Sequence, residues 1–157
     1  MKRLSVINEF FFAAAVAAGC YGISWILGPG IWGPQLMRLL IAAAAAAQCF
    51  HYRNSAERRG NTPLLVIALL GIVAPGFLLP WTFYLVWSAG VVWCYRSLIR
   101  YRSFVPAAAD GMITVCSVVA ATVLAAFTGS AALAIWGYLL GQALLPVVPV
   151  SEGPVRS

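Results

Sequence analysis

Residues 64–95 read LLVIALLGIVAPGFLLPWTFYLVWSAGVVWCY and contain no charged side chain. A single helix over this run would far exceed the roughly 20 residues that cross a hydrocarbon core of about 30 Å. Pro75, Gly76 and Pro80 interrupt the run near its middle, where prolines and a glycine disfavour a continuous helix. The run therefore predicts two short helices of about 16 residues, each roughly 24 Å long, with a break at these three residues.

Arginines flank this run on both sides. They are Arg53, Arg58 and Arg59 before it and Arg96, Arg100 and Arg102 after it. Basic clusters in short loops mark the cytoplasmic side of a membrane protein. Because both clusters then lie on the same side, the run either crosses the bilayer twice or enters it and returns as a re-entrant hairpin. We take two crossings as the prediction and keep the re-entrant hairpin as the alternative.

The composition is typical of a polytopic membrane protein. Of the 157 residues, 62% are hydrophobic and 9% are charged, and the mean hydropathy is +0.90. Soluble domains carry about a quarter charged residues, so a soluble enzyme domain, a disordered tail and a secreted disulfide scaffold are excluded. The net charge of +6 comes from small clusters between apolar segments. Since nucleic-acid-binding proteins gather basic residues into a patch or stripe, we expect no nucleic-acid partner.

The other apolar segments complete one integral membrane domain over residues 1–157. The predicted fold is an all-α transmembrane bundle of six short helices in three hairpins, with four helices and a re-entrant hairpin as the alternative. The predicted spans are 8–27, 36–52, 64–79, 80–95, 110–127 and 131–148. Both termini are expected in the cytoplasm, because the basic clusters fall inside and the opposite turns are uncharged. We expect the membrane to be a bacterial inner membrane.

The N-terminal segment also has features of a cleaved signal sequence. Ala17-Ala18-Gly19-Cys20 looks like a lipoprotein processing box, in which the cysteine becomes lipidated. However, Glu9 stands at the head of the apolar core, and the core continues past Cys20, whereas the core of a signal peptide normally ends at the cleavage site. We therefore expect a retained first helix, with lipidation of Cys20 as the alternative.

Charged groups in or beside the spans are candidate functional residues, because they are costly to place in a bilayer. Glu9 and Asp110 lie at the predicted cytoplasmic ends of the first and fifth spans. We expect each to form a helix-end ion pair with a nearby arginine and to favour the positive end of the helix dipole, the alternative being a proton- or cation-binding carboxylate. Arg38, at the outer end of the second span, is expected to extend to the headgroups. A lipid phosphate or a partner's carboxylate is its alternative ligand.

The sequence favours neither a metal centre nor a catalytic site. His51 is the sole histidine, and the four cysteines stand singly. A cluster of His51 with Cys94 and Cys116 is geometrically conceivable, but no CxxC or HxxxH spacing indicates one. There is no nucleophile elbow, pair of carboxylates or phosphate-binding loop. We therefore expect no metal, no cofactor, no catalytic residue and no enzymatic activity.

The sixth span contains a GxxxG motif, Gly137 to Gly141, followed by Gln142. Small residues four positions apart let helices approach closely, and a glutamine can hydrogen-bond across the contact. Gly137 and Gly141 are therefore predicted helix-packing residues, either within this chain or against another subunit. Gln142, with Arg38, is a candidate binding residue.

Two functional classes fit these features. The first is an accessory, assembly or immunity-type subunit that acts through contacts between transmembrane helices, because the loops are tiny and several helix faces consist of alanine and glycine. The second is a small oligomeric transporter or channel for a small solute or ion, because interrupted helices such as the one at Pro75, Gly76 and Pro80 expose backbone groups to a substrate. The expected partners are the lipid bilayer and either a membrane protein or further copies of this chain.

Overall fold

Six α-helices form the structure, a computed structural model that describes residues 6–27, 33–55, 62–101, 103–144 and 146. The helices are α1 Val6–Leu27, α2 Gly33–Ser55, α3 Thr62–Gly76, α4 Trp81–Arg100, α5 Phe104–Thr128 and α6 Ala131–Gln142. No strand occurs in the residues described. The predicted all-helical class is therefore confirmed.

Two of these helices, α1 and α5, are long and apolar enough to cross a membrane. α3 is apolar but has only 15 residues, which corresponds to roughly 22 Å of helix. α6 is shorter still, with 12 residues or roughly 18 Å. By length and composition, membrane crossing is supported for α1 and α5.

The corner between α3 and α4 lies at the predicted break. Pro75 stands in the last turn of α3, and its carbonyl accepts hydrogen bonds from the Leu78 and Leu79 amides at 3.0 and 2.9 Å. Pro80 directly precedes α4, a position that its fixed φ and missing N–H suit. Gly76 lies against the ring of Tyr84, where an added Cβ would be only 3.3 Å from Cζ. The corner is thus a tight turn closed by a tyrosine from the next helix.

The bounds of the last three helices differ most from the prediction. α4 extends to Arg100 instead of ending at residue 95, so Arg96 lies inside the helix. α5 begins at Phe104 instead of residue 110, because Pro106 is tolerated in a first helical turn. Asp110 therefore lies in the second turn of α5, beyond the first-turn region where the helix dipole acts, so the dipole role predicted for it is wrong. α6 ends at Gln142 instead of residue 148, and the Leu144 amide donates to the Gly141 carbonyl at 3.2 Å in the turn that follows.

The three hairpins pack in a ring, with the even-numbered helices towards the middle. Each odd-numbered helix lies between two even-numbered ones: α1 between α6 and α2, α3 between α2 and α4, and α5 between α4 and α6. Contacts of Leu124 with Gly137 and of Ser117 with Gly141 show that α5 and α6 run antiparallel. This arrangement brings the carboxyl ends of α2, α4 and α6 together at one end of the bundle.

Candidate functional site

Arg96 is the centre of a buried polar cluster. It lies in the last turns of α4, yet its side chain is only 1% exposed. Its Nε donates to Asp110 Oδ2 at 2.8 Å, one terminal nitrogen donates to Tyr52 Oη at 3.2 Å and Gln142 Oε1 at 2.6 Å, and the other donates to Asp110 Oδ1 and to Thr114 Oγ1 at 3.0 Å. An arginine has five N–H groups, so its donor capacity is filled. We call these five residues the Arg96 cluster.

The Arg96 cluster joins four helices at one end of the bundle. Tyr52 comes from the last turn of α2, and Gln142 is the last residue of α6. Asp110 and Thr114 are four residues apart on α5, a spacing that places both side chains on one face of the helix. Thr114 Oγ1 also donates to the Asp110 carbonyl oxygen at 3.0 Å. The cluster therefore fixes the positions of α2, α5 and α6 relative to α4.

Charge is balanced within the cluster. The Arg96–Asp110 pair is bidentate, with the planar guanidinium facing both carboxylate oxygens, and the exposed fractions of the two side chains are 1% and 0%. The guanidinium also lies over the Tyr52 ring, with 5.2 Å between Cζ and the ring centroid. Just beyond α4, burial raises the pKa of Tyr101 to about 12, so its hydroxyl stays neutral even at pH values where an exposed tyrosine ionises. A buried pair with this many hydrogen bonds is suited to a structural role.

A second polar contact joins α1 to the same end of α2. Glu9, in the first turn of α1, is 4% exposed, and its Oε1 lies 2.9 Å from His51 Nε2. The Phe12 ring stacks on the imidazole, with 4.1 Å between the centroids. Glu9 thus pairs with a histidine, while Arg3, the nearest predicted arginine partner, lies outside the described residues. Because His51 precedes Tyr52, this pair adjoins the Arg96 cluster.

The GxxxG motif of α6 packs against α5 of the same chain. A Cβ added at Gly141 would lie 2.9 Å from Ser117 Cβ and 3.3 Å from Ser117 Cα, and closer still to the hydroxyl oxygen. A Cβ added at Gly137 would collide with Leu124 Cδ1. The sequence allows the motif to pack either within this chain or against another subunit. In the structure it packs α6 against α5 of the same chain. It also brings Gln142, the next residue, within reach of Arg96.

A small cleft lies between the three inner helices. Its volume is about 20 Å³, and aliphatic and alanine side chains of α2, α4 and α6 form most of its wall. Three polar residues also line it: Gln48, Ser88 and Tyr138. Gln48 and Tyr138 are 1% and 7% exposed, and no hydrogen bond from a described residue reaches Gln48 Oε1 or Tyr138 Oη. We call this space the central cleft.

The remaining candidate residues lie elsewhere. Arg38 is half-buried on α2, and its Nε has no hydrogen-bond partner among the described residues. Cys20 and Cys49 are buried, whereas Cys94 and Cys116 are exposed. Within the described ranges, His, Cys, Asp and Glu side chains form no group of three that could hold a metal ion.

The charge pattern of the sequence predicts a cytoplasmic loop position for Arg96 and does not predict that it lies at the centre of a buried polar cluster. One feature could have indicated it: Leu98 and Ile99 follow Arg96, so the apolar pattern of α4 continues past the charge. A basic residue inside an apolar helix usually faces the bundle interior, and the acidic residue nearest to Arg96 along the chain is Asp110.

The chain matches no protein-family model, no curated protein and no solved structure, so no relative supplies a function for the Arg96 cluster or the central cleft.

Proposed function

We propose that this chain is an integral membrane protein with six crossings in three hairpins. The support is the distribution of polarity: Arg96 and Asp110 are buried, whereas Phe77, Phe104 and Phe127 are 82%, 84% and 87% exposed. Large exposed apolar side chains are unfavourable in water and favourable against lipid tails. Intramembrane charges, in contrast, face the interior of a bundle and pair with one another.

Both termini lie on the cytoplasmic side of a bacterial inner membrane in this proposal. The carboxyl ends of α2 and α4 carry Arg53 and Arg100, and the sequence segments before these two helices contain no charged residue. This asymmetry fits the excess of basic residues in cytoplasmic loops.

Labelling of single cysteines tests the topology. In a background with the four native cysteines replaced by alanine, we expect a membrane-impermeant maleimide to label Thr128→Cys and Leu78→Cys in intact cells. Asn54→Cys is expected to react only after permeabilisation, because it lies at the basic end of α2. Protection of Leu78→Cys from both sides would favour the re-entrant hairpin instead, and labelling of Asn54→Cys in intact cells would contradict the orientation.

The function that we propose is that of an accessory, assembly or immunity-type subunit without enzymatic activity. The observation that carries it is an open surface on α1, formed by Ala15, Ala18, Gly19 and Gly22, of which the first three are exposed. A Cβ added at Gly19 or Gly22 would meet nothing within 4 Å. Small residues four apart on an outer face let a second helix approach closely. We call this surface the small-residue face of α1.

Purification from native membranes in mild detergent, followed by mass spectrometry, tests this function. We expect a membrane-protein partner in stoichiometric amount with the wild-type chain. Gly19→Leu is expected to lose the partner and keep the bundle intact, because the position has free space around it within the chain.

Gly90→Leu is the matched control. Gly90, on α4, likewise has nothing within 4 Å of an added Cβ, but it lies outside the small-residue face of α1. We expect this variant to retain the partner. Loss of the partner in both variants, or in neither, would contradict the role given to α1.

A small transporter or channel is the second candidate, and the central cleft favours it. Gln48, Ser88 and Tyr138 bring hydrogen-bonding groups to the middle of an otherwise apolar bundle. If the chain purifies only as a homo-oligomer, solute flux into liposomes is the measurement that follows.

A further inference from the structure

Two residues that line the central cleft, Gln48 and Tyr138, each carry a buried hydrogen-bonding atom without a partner among the described residues. Gln48 Oε1 is an acceptor and Tyr138 Oη is both a donor and an acceptor, and neither is bonded to another described residue. The third polar group, Ser88 Oγ, donates to the Leu85 carbonyl at 3.0 Å and keeps its acceptor capacity. Buried polar atoms are nearly always hydrogen-bonded, to the protein or to ordered water.

The cleft has the size and chemistry for water. A buried water molecule needs at least about 10–15 Å³ and two to four polar partners. The cleft has a volume of about 20 Å³ and offers Gln48, Ser88 and Tyr138. Ligands larger than water would need the alanine and aliphatic walls to move apart.

We propose that the central cleft is a binding site for water, in which an ordered molecule bridges Gln48 Oε1 and Tyr138 Oη and so links α2 to α6. No residue of the Arg96 cluster lines the site, and the donors of Arg96 are already bonded within the protein. It does not depend on the membrane partner proposed above.

A double-mutant cycle on the thermal midpoint of the purified protein tests the bridge. If water links the two side chains, Gln48→Leu and Tyr138→Phe are each expected to lower the midpoint by about 2–4 °C, which corresponds to the loss of one hydrogen bond in a protein of this size. The double variant is then expected to lower it by clearly less than the sum. If the cleft is dry, each substitution removes an unsatisfied group, so the midpoint rises or stays the same and the effects add, which would overturn the proposal.

Hydroxyl-radical footprinting supplies a second, direct readout. Radiolysis of bound water is expected to oxidise Tyr138 despite its burial, and Ala45→Val, which narrows the cleft, is expected to reduce that oxidation several-fold. Tyr84 is the control, because it is 1% exposed and its hydroxyl donates to the Ile72 carbonyl at 2.9 Å. Equal oxidation of Tyr138 and Tyr84 in the wild-type protein would also overturn the proposal.

Discussion

Replacing Arg96 with methionine is expected to destabilise the bundle by about 3–5 kcal/mol, the usual effect of removing one partner of a buried ion pair. The substitution leaves the Asp110 carboxylate buried at 0% exposure without its bidentate partner. It also removes the terminal nitrogen that donates to both Tyr52 and Gln142, so that these residues of α2 and α6 lose their hydrogen bonds to α4. Fluorescence-detected size-exclusion chromatography of detergent extracts, combined with thermal melting, measures the folded fraction.

Three further variants separate the effect of the charge at residue 96, the effect of the guanidinium geometry and the general sensitivity of the protein to loss of an arginine. Arg96→Lys keeps the charge but has fewer donors and no planar fork, so we expect an intermediate loss of stability. The double variant Arg96→Met with Asp110→Leu removes both charges and is expected to regain much of the stability, since apolar replacements of buried ion pairs are often tolerated. Arg53→Met removes, among the described residues, an exposed 3.4 Å contact to Thr62 and should change stability by less than about 0.5 kcal/mol.

If Arg96→Met melts at the same temperature as the wild type, the Arg96 cluster does not have the structural role given to it here. An Arg96→Met effect no larger than that of Arg53→Met would have the same meaning, because it would place Arg96 in solvent or at the headgroups. A double variant less stable than Arg96→Met would indicate that Asp110 has other favourable contacts.

The positions of the helices could be predicted from the sequence, because they depend on residues that are close together along the chain. The break at Pro75, Gly76 and Pro80 follows from proline and glycine chemistry, and the apolar segments follow from composition. The predicted start of α5 at residue 110 is six residues late, because a charged residue such as Asp110 suggests a helix end, whereas Pro106 already permits a helix in the preceding segment. Helix boundaries depend on such single residues, so they were less predictable than the helices.

The Arg96 cluster could not be assembled from the sequence, because its members lie far apart along the chain. Tyr52 and Gln142 approach Arg96 only after α2, α4 and α6 have packed with their carboxyl ends together. The inward face of α4 is also hard to identify from the sequence, since the exposed and the buried positions of this helix are both largely apolar. Gln142 was identified as a polar residue of interest from its position after the GxxxG motif, but its partner was not.

Replacing Gly141 with alanine is expected to destabilise the chain by about 1–3 kcal/mol, the typical cost of overpacking. The added methyl group would lie 2.9 Å from Ser117 Cβ and 3.3 Å from Ser117 Cα, so α5 and α6 would have to move apart. A rotation of the Ser117 side chain cannot relieve this contact, because one of the atoms belongs to the backbone. Thermal melting of the purified protein in detergent measures the effect.

Gly19→Ala is the matched control, and we expect it to change the stability in the opposite direction to Gly141→Ala. Gly19 lies in α1 with nothing within 4 Å of an added Cβ, so the substitution should stabilise the helix by up to about 1 kcal/mol through its higher helix propensity. Ser117→Gly in the Gly141→Ala background should restore part of the lost stability, because it removes the Cβ and hydroxyl that the new methyl group meets. Equal effects at Gly141 and Gly19 would contradict the close approach of α5 and α6.

Gly141→Ala is also expected to weaken the Arg96 cluster, because Gln142 follows Gly141 on α6. Its Oε1 accepts from Arg96 at 2.6 Å, and we expect a movement of α6 away from α5 to lengthen this hydrogen bond. Gln142→Ala should therefore cost less stability in the Gly141→Ala background than in the wild type, since part of its contact is already lost. A double-mutant cycle measures this coupling, which residues in one packed network usually show. Additive effects would mean that the glycine contact and the polar cluster stabilise the bundle independently.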